Sequence, residues 1–282
     1  MENVFDLSVA WRIYPKVSKT PIFFSNDKYK IVELSLQSFI NSTNGLKIKY
    51  YFILDGCPEK YRELIKNLFK DFNYEILETN SVGNLKTFEL QLDILSNQNF
   101  SEIVYFAEDD YLYQPHIFYK SLNFIKSKNK VDFLTCYHHK ETTYHLIHHI
   151  KRKKVTSDEI NWQTDASTCL TFMTKKSVLN ETKRIFLTYT KGNNDCSIWL
   201  TLTKFHIYNP LKYFQFWKNN NNGYDILKMS VKYGFKYFFT RKYLLWTSVP
   251  AICTHLEKGH ESPYVDWNEV YHNIQNRNNE YN

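Results

Sequence analysis

The chain has 282 residues, 43% apolar and 23% charged, an ordinary balance for a soluble globular protein long enough for one large α/β domain. With 7 Gly, 7 Pro and no internal repeat, a fibrous protein or a long flexible linker is excluded, and five Cys without a CxxC pair argue against a disulfide framework or structural zinc. A formal charge of +7 suits anionic partners such as polyanions, lipid headgroups or a phosphorylated substrate, or serves solubility alone.

Glu2, Asp6 and Arg12 interrupt the start of the chain, and no stretch reaches about eighteen uninterrupted apolar residues. Neither a secretory leader nor a membrane span is therefore expected. A cytoplasmic protein is the expectation, with peripheral membrane association compatible with the basic balance.

Residues 7–13 read as a first strand. Apolar positions at Ile31, Leu34, Leu36, Phe39 and Ile40 predict an amphipathic helix over 27–41. "LKIKYYFILDG" is a second strand stopped by Asp55-Gly56, and 58–70 opens with Pro and Glu as a helix does. "YEILET", then "NLKTFELQLDILSNQ", give a third strand and a third helix, and "EIVYFAEDD" is the fourth strand. Regular alternation predicts a mostly parallel, doubly wound sheet, whose ligands collect beyond the strand carboxyl ends. After residue 131 the pattern loosens. "VDFLTCYHH" is strand-like, a His-rich polar stretch follows, and helices are expected after residue 195 and over 223–235.

The chemistry concentrates at Glu108-Asp109-Asp110, three like charges at the end of a buried strand, which repel unless something positive sits among them. On an extended strand end Glu108 and Asp110 share a side and Asp109 points oppositely. Two same-side oxygens suit magnesium or manganese with phosphate completing the shell; the alternative is a solvated acidic turn. Lys86 or Arg12 would add positive charge around the same phosphate oxygens.

"VYFAEDDYLYQP" resembles the Asp-x-Asp region of glycosyltransferases with the GT-A fold, in a family 2-like form. "FILDG", "SVGNLKTFELQLDI", "AWRIYPK" and "ICTHLEKGHESPYVDW" resemble further segments of that fold. The resemblance implies one domain over 1–282, with a nucleotide-binding half to about residue 130. An acceptor-binding half and a C-terminal helical extension would follow, around a GT-A-type mostly parallel central sheet flanked by helices. It implies manganese or magnesium held by Glu108, Asp110 and His255, and a nucleotide contacted by Arg12, Tyr14, Asp55, Asn84, Lys86 and Asp109. Asp195, at the start of a helix after "STCLTFMT", would be the base that deprotonates the acceptor hydroxyl, or the cap of that helix. The implied partners are a UDP-, GDP- or dTDP-sugar donor and a glycan or other saccharide acceptor, with hexosyl or pentosyl transfer between them.

Two other readings compete. A nucleotidyltransferase of related fold would carry a Gly-rich basic loop after the first strand, and "AWRIYPKVSK" has no Gly. A basic nucleic-acid-binding protein would show several basic clusters, and "HHIKRKK" is the one present, so no nucleic acid is expected. His138, His139, His145, His148 and His149 invite a zinc site but lack an HExxH signature or a Cys partner; a satisfied or solvent-facing role is favoured, with acceptor recognition as the more modest functional reading. Trp162 and Asp165 are candidates to line the sugar region. In the tail Glu257, His260 and Asp266 are further candidates, with His255 preferred as ligand.

Overall fold

The computed structural model describes residues 4–17, 19–218 and 223–280. Strand β1 (Leu7–Ile13) is buried along its whole length. Period-two alternation divides it: Leu7, Val9, Trp11 and Ile13 pack on one face of the sheet and Ala10 on the other. Helix α1 (Lys28–Ser42) begins at Asp27, whose carboxylate accepts the Lys30 amide at 3.2 Å. There follow β2 (Ile48–Asp55), α2 (Glu59–Leu68), β3 (Asn73–Thr79), α3 (Asn84–Asn97) and β4 (Ile103–Glu108). The chain then leaves the sheet for β5 (Tyr111–Tyr113) and returns through α4 (Phe118–Lys126) to β6 (Phe133–Thr135).

The second part holds β7 (Lys154–Ser157), β8 (Ile160–Asp165), β9 (Phe172–Lys175), α5 (Lys176–Phe186), α6 (Asp195–Thr203), α7 (Pro210–Lys218) and α8 (Gly223–Gly234). Strands β10 (Leu245–Val249) and β11 (Cys253–His255) and helix α9 (Trp267–Glu280) complete it. The main sheet runs β3-β2-β1-β4-β9-β6-β10-β8-β7. Strands β9 and β8 run against their neighbours, so seven of the nine strands point the same way. This is an α/β fold with a mostly parallel central sheet flanked by helices. Helices α1, α2 and α4 cover one face, and α3, α5 and α6 the other.

Much of the aromatic excess is core. Phe39 meets Trp11 and Tyr113 edge-on with centroids 5.0 and 4.9 Å away, and Phe106 stacks on Phe172 at 4.5 Å across the sheet. Burying each such ring contributes about 1.5–3 kcal/mol. Trp162 is part of this core: it is fully buried and stacked on Phe124 at 4.4 Å, so it does not line a sugar site. The β7–β8 hairpin occupies a stretch that reads as polar loop in the sequence. Its outer strand buries no residue fully, which leaves little apolar alternation to detect.

Two features position the site. Strand order turns back at β1, because β2 and β3 lie on one side of it and β4 on the other. A crevice therefore opens beyond the carboxyl ends of β1 and β4. On the far side, α6 is held by the C-terminal helices: Gly234 of α8 comes so close to α6 that an added Cβ would stand 2.3 Å from Thr201 Oγ1. Among the described residues, no helix is long and apolar enough to cross a membrane.

Candidate active site

The crevice is a cavity of about 700 Å³. Its wall includes Arg12, Tyr14, Asp55, Asn84, Glu108, Asp109, Asp110, Asp195 and His255, nine of the ten residues that the resemblance assigns to metal, nucleotide or base. Lys86 is the exception. The phase of α3 turns it to solvent, where it pairs with Glu89 one helical turn on, so its expected nucleotide contact is not supported.

The three carboxylates do not lie on an extended strand. Strand β4 ends at Glu108, and Asp109 and Asp110 form a tight turn into β5. Two of the three acids have their own cationic side chain. The parallel register sets Arg12 beside Glu108, and the guanidinium donates from Nη2 to Oε1 while Thr171 Oγ1 donates to Oε2 at 2.6 Å. With both oxygens engaged, Glu108 fits a second metal ligand poorly; it anchors Arg12. Asp109 accepts from Lys28 Nζ at 2.6 Å and from the Tyr14 amide at 2.7 Å, so it fastens α1 and the β1 loop to the acidic turn.

Asp110 differs. Antiparallel pairing of β5 with β11 sets His255 opposite Tyr111, and the Leu256 amide donates to the Asp110 carbonyl at 2.7 Å. His255 Nε2 thereby comes within 3.4 Å of Asp110 Oδ2. Asp110 Oδ1 and His255 Nδ1 are both buried without a hydrogen-bond partner among the described residues. Lys19 and Glu257, 2.7 Å apart, close this side of the cavity.

Charges in this cluster adjust to each other. Burial works against ionising Asp110, but His255, Lys28, Lys19 and Arg12 outweigh it and hold its carboxyl below the ordinary range. Asp109 is held above that range by burial, which Lys28 offsets only in part. Burial also opposes the charge on Lys28, yet Asp109, Asp110 and Glu108 keep its ammonium above the usual value.

Opposite the acids, two residues organise the rim. Asp55 accepts from Thr79 Oγ1 at 2.7 Å and from the amides of Val82 and Gly83 at 2.7 and 2.8 Å. It therefore shapes the β3–α3 loop, where Gly83 takes a positive φ of 86°. Asn84, the first residue of α3, accepts from Arg12 Nη1 and donates to the Tyr189 hydroxyl at 2.9 Å.

Asp195 is not the cap of α6. Asn194 holds that position, its side chain accepting the Ser197 amide at 2.7 Å, while Asp195 Oδ1 accepts the Cys196 amide at 2.7 Å. Burial raises its pKa, with Glu108 adding to the effect. Asp165 lies elsewhere, buried and joined to His148 Nδ1 at 2.7 Å. Sequence reading missed Lys28, Lys19, Tyr137 and Tyr189. Lys28 left one trace, a basic residue in the first turn of a helix, where the macrodipole disfavours it.

No family model matches the chain, and no curated protein matches it. Solved structures of low identity do. S. aureus TarS 1-349 in complex with UDP is 15% identical over 69% of this chain and 54% of that one, with a TM-score of 0.48. The mannosyltransferase PcManGT from Pyrobaculum calidifontis, in complex with GDP-Man and Mn2+, gives 12%, 47%, 35% and 0.35. The inositol-1-phosphate CTP transferase from T. maritima gives 11% identity over 98% of both chains and 0.39. This chain spans about half the length of the TarS 1-349 structures. The matched set thus contains both glycosyltransferases and a nucleotidyltransferase, at a similarity that assigns no activity.

Proposed function

We propose that the chain is a metal-dependent glycosyltransferase that moves a sugar from a nucleoside-diphosphate sugar to a hydroxyl of a saccharide acceptor. One observation carries the reading: a buried, unpartnered Asp110 oxygen beside His255, on a basic-rimmed cavity whose other wall holds Asp195. A carboxylate with one oxygen free of hydrogen bonds and an imidazole whose Nε2 faces it fit a divalent cation such as manganese or magnesium. When bound, such an ion supplies Lewis-acid neutralisation of the departing diphosphate.

The chain's own groups supply the rest. Arg12, fixed by Glu108 and Asn84, presents a guanidinium to phosphate oxygens. Asp55 and the Tyr14 backbone hold the β3–α3 loop and the β1 loop in place around the nucleotide. Asp195, its basicity raised by burial, takes the proton of the acceptor hydroxyl. In this reading one domain carries donor recognition up to about residue 130 and acceptor recognition beyond it.

Thermal denaturation with UDP, GDP, CDP and dTDP, each with and without manganese, tests the proposal. One nucleotide should raise the melting temperature in the presence of the metal, by mass-action linkage. No response to any of the eight conditions would refute it.

A further inference from the structure

The loop after β6 and the turn after β11 are far apart in sequence and meet on the cavity wall. His139, Glu141 and His260 each bring one donor atom there, all within 4.8 Å of one another. His139 Nδ1 stands 3.8 Å from Glu141 Oε2, and the two imidazole rings lie edge-on with centroids 5.7 Å apart. Backbone bonds hold both sides. The Tyr137 hydroxyl donates to the His260 carbonyl at 2.7 Å, and the His260 amide to the Glu257 carbonyl at 3.0 Å. Gly259, at φ +87°, makes the turn between them. On the other side, His139 starts a 3-10 turn over Lys140–Thr143 and its Nδ1 accepts the Glu141 amide at 3.1 Å.

We propose that His139, Glu141 and His260 form a second cation site that takes a zinc-class divalent ion and clasps the tail to the loop after β6. Two imidazoles and one carboxylate are a donor set that zinc takes with one position left open, whereas magnesium prefers oxygen ligands throughout. His139 and His260 both line the cavity. Ligation through Nδ1 exchanges one 3.1 Å hydrogen bond for a metal bond. The site shares no residue with the Asp110 and His255 pair, although the His255 and His260 rings lie only 6.5 Å apart, and it stands or falls independently of the transferase reading.

Cobalt(II) is the probe, because four-coordinate cobalt absorbs strongly in the visible and zinc displaces it. Chelator-stripped protein is titrated with cobalt and then with zinc, alongside Asp110→Ala, His139→Ala, Glu141→Gln and His260→Ala. Wild type and Asp110→Ala should show the bands, and zinc should abolish them. The other three variants should bind more weakly by at least the roughly 10–100-fold that loss of an outer-shell partner costs. Their metal-free melting curves report folding, and His260, half-exposed on the tail, is the substitution least able to disturb it. Bands lost in Asp110→Ala but kept in His139→Ala and His260→Ala would overturn the proposal, as would the absence of bands in wild type.

Discussion

Replacing Lys28 with Met removes the cation from a carboxylate that has little access to water. The two side chains are 9% and 10% exposed, with Nζ 2.6 Å from Asp109 Oδ1. Breaking one member of a buried pair costs about 3–5 kcal/mol, because the remaining charge is left without a partner. For a chain of this size, that corresponds to a fall in melting temperature of roughly 6–20 °C. The deficit carries a pH signature. Burial already raises the Asp109 pKa, so the folded state favours its protonated form over the unfolded chain's. The penalty of Lys28→Met exists while Asp109 is ionised: it is full above the raised pKa and fades as pH falls through it. Losing Lys28 raises that pKa further, so the fading begins at a higher pH. Urea unfolding at pH 7 and at pH 5 measures it, with Lys28→Met/Asp109→Asn as the control that removes both charges and should recover most of the loss. A single variant within about 2 °C of wild type at pH 7 would refute the reasoning. So would a double variant no more stable than the single one.

Asp110→Ala should lose the manganese-dependent part of nucleotide stabilisation and reduce transfer by about 10²–10³-fold; a wild-type manganese response in that variant contradicts the assignment. Asp195→Asn should slow transfer by about 10²–10⁴-fold while leaving donor binding intact, as measured by transfer rate against nucleotide thermal shift. The same variant should be more stable than wild type at pH 7. A raised carboxyl pKa costs stability as pH climbs from the unfolded value of 3.8 to the folded one, and the amide removes that cost. A pH-independent stability difference would contradict the burial argument. Gly234→Ala pushes a methyl into Thr201 and should cost about 1–3 kcal/mol, read by chemical denaturation. An unchanged midpoint would mean that α8 does not press on α6.

What was legible in the sequence was local. Strands β1, β2 and β4 announce themselves by short runs rich in apolar residues, buried almost throughout, and by the polar residues that stop them, and the acidic turn follows from its place after β4. The counter-charges were not legible, because they are set by tertiary register. Lys28 meets an acid 81 residues away, and at its own position it resembles any basic residue on a helix. His139 and His260 meet only because β11 pairs with β5 and returns the tail to the cavity. Lys86 misled for the opposite reason, being near the right loop but on the outward phase of its helix. The second half of the sheet was obscured by its topology. Strand β10 inserts between β6 and β8, so neighbours in space are distant in the chain and no alternation of strand and helix signals the pairing.

The pairing of Glu108 with Arg12 and Asp109 with Lys28 also bears on the order of events in a catalytic cycle. A rim that balances its own charges stays folded without an ion, and chelation should leave the protein intact. Spare capacity remains at Asp110 and His255, too few ligands to retain magnesium or manganese firmly without phosphate oxygens. On the proposed chemistry the ion is cargo that arrives with the activated sugar and departs with the spent nucleotide. Inhibition by free nucleotide should then deepen as metal concentration rises.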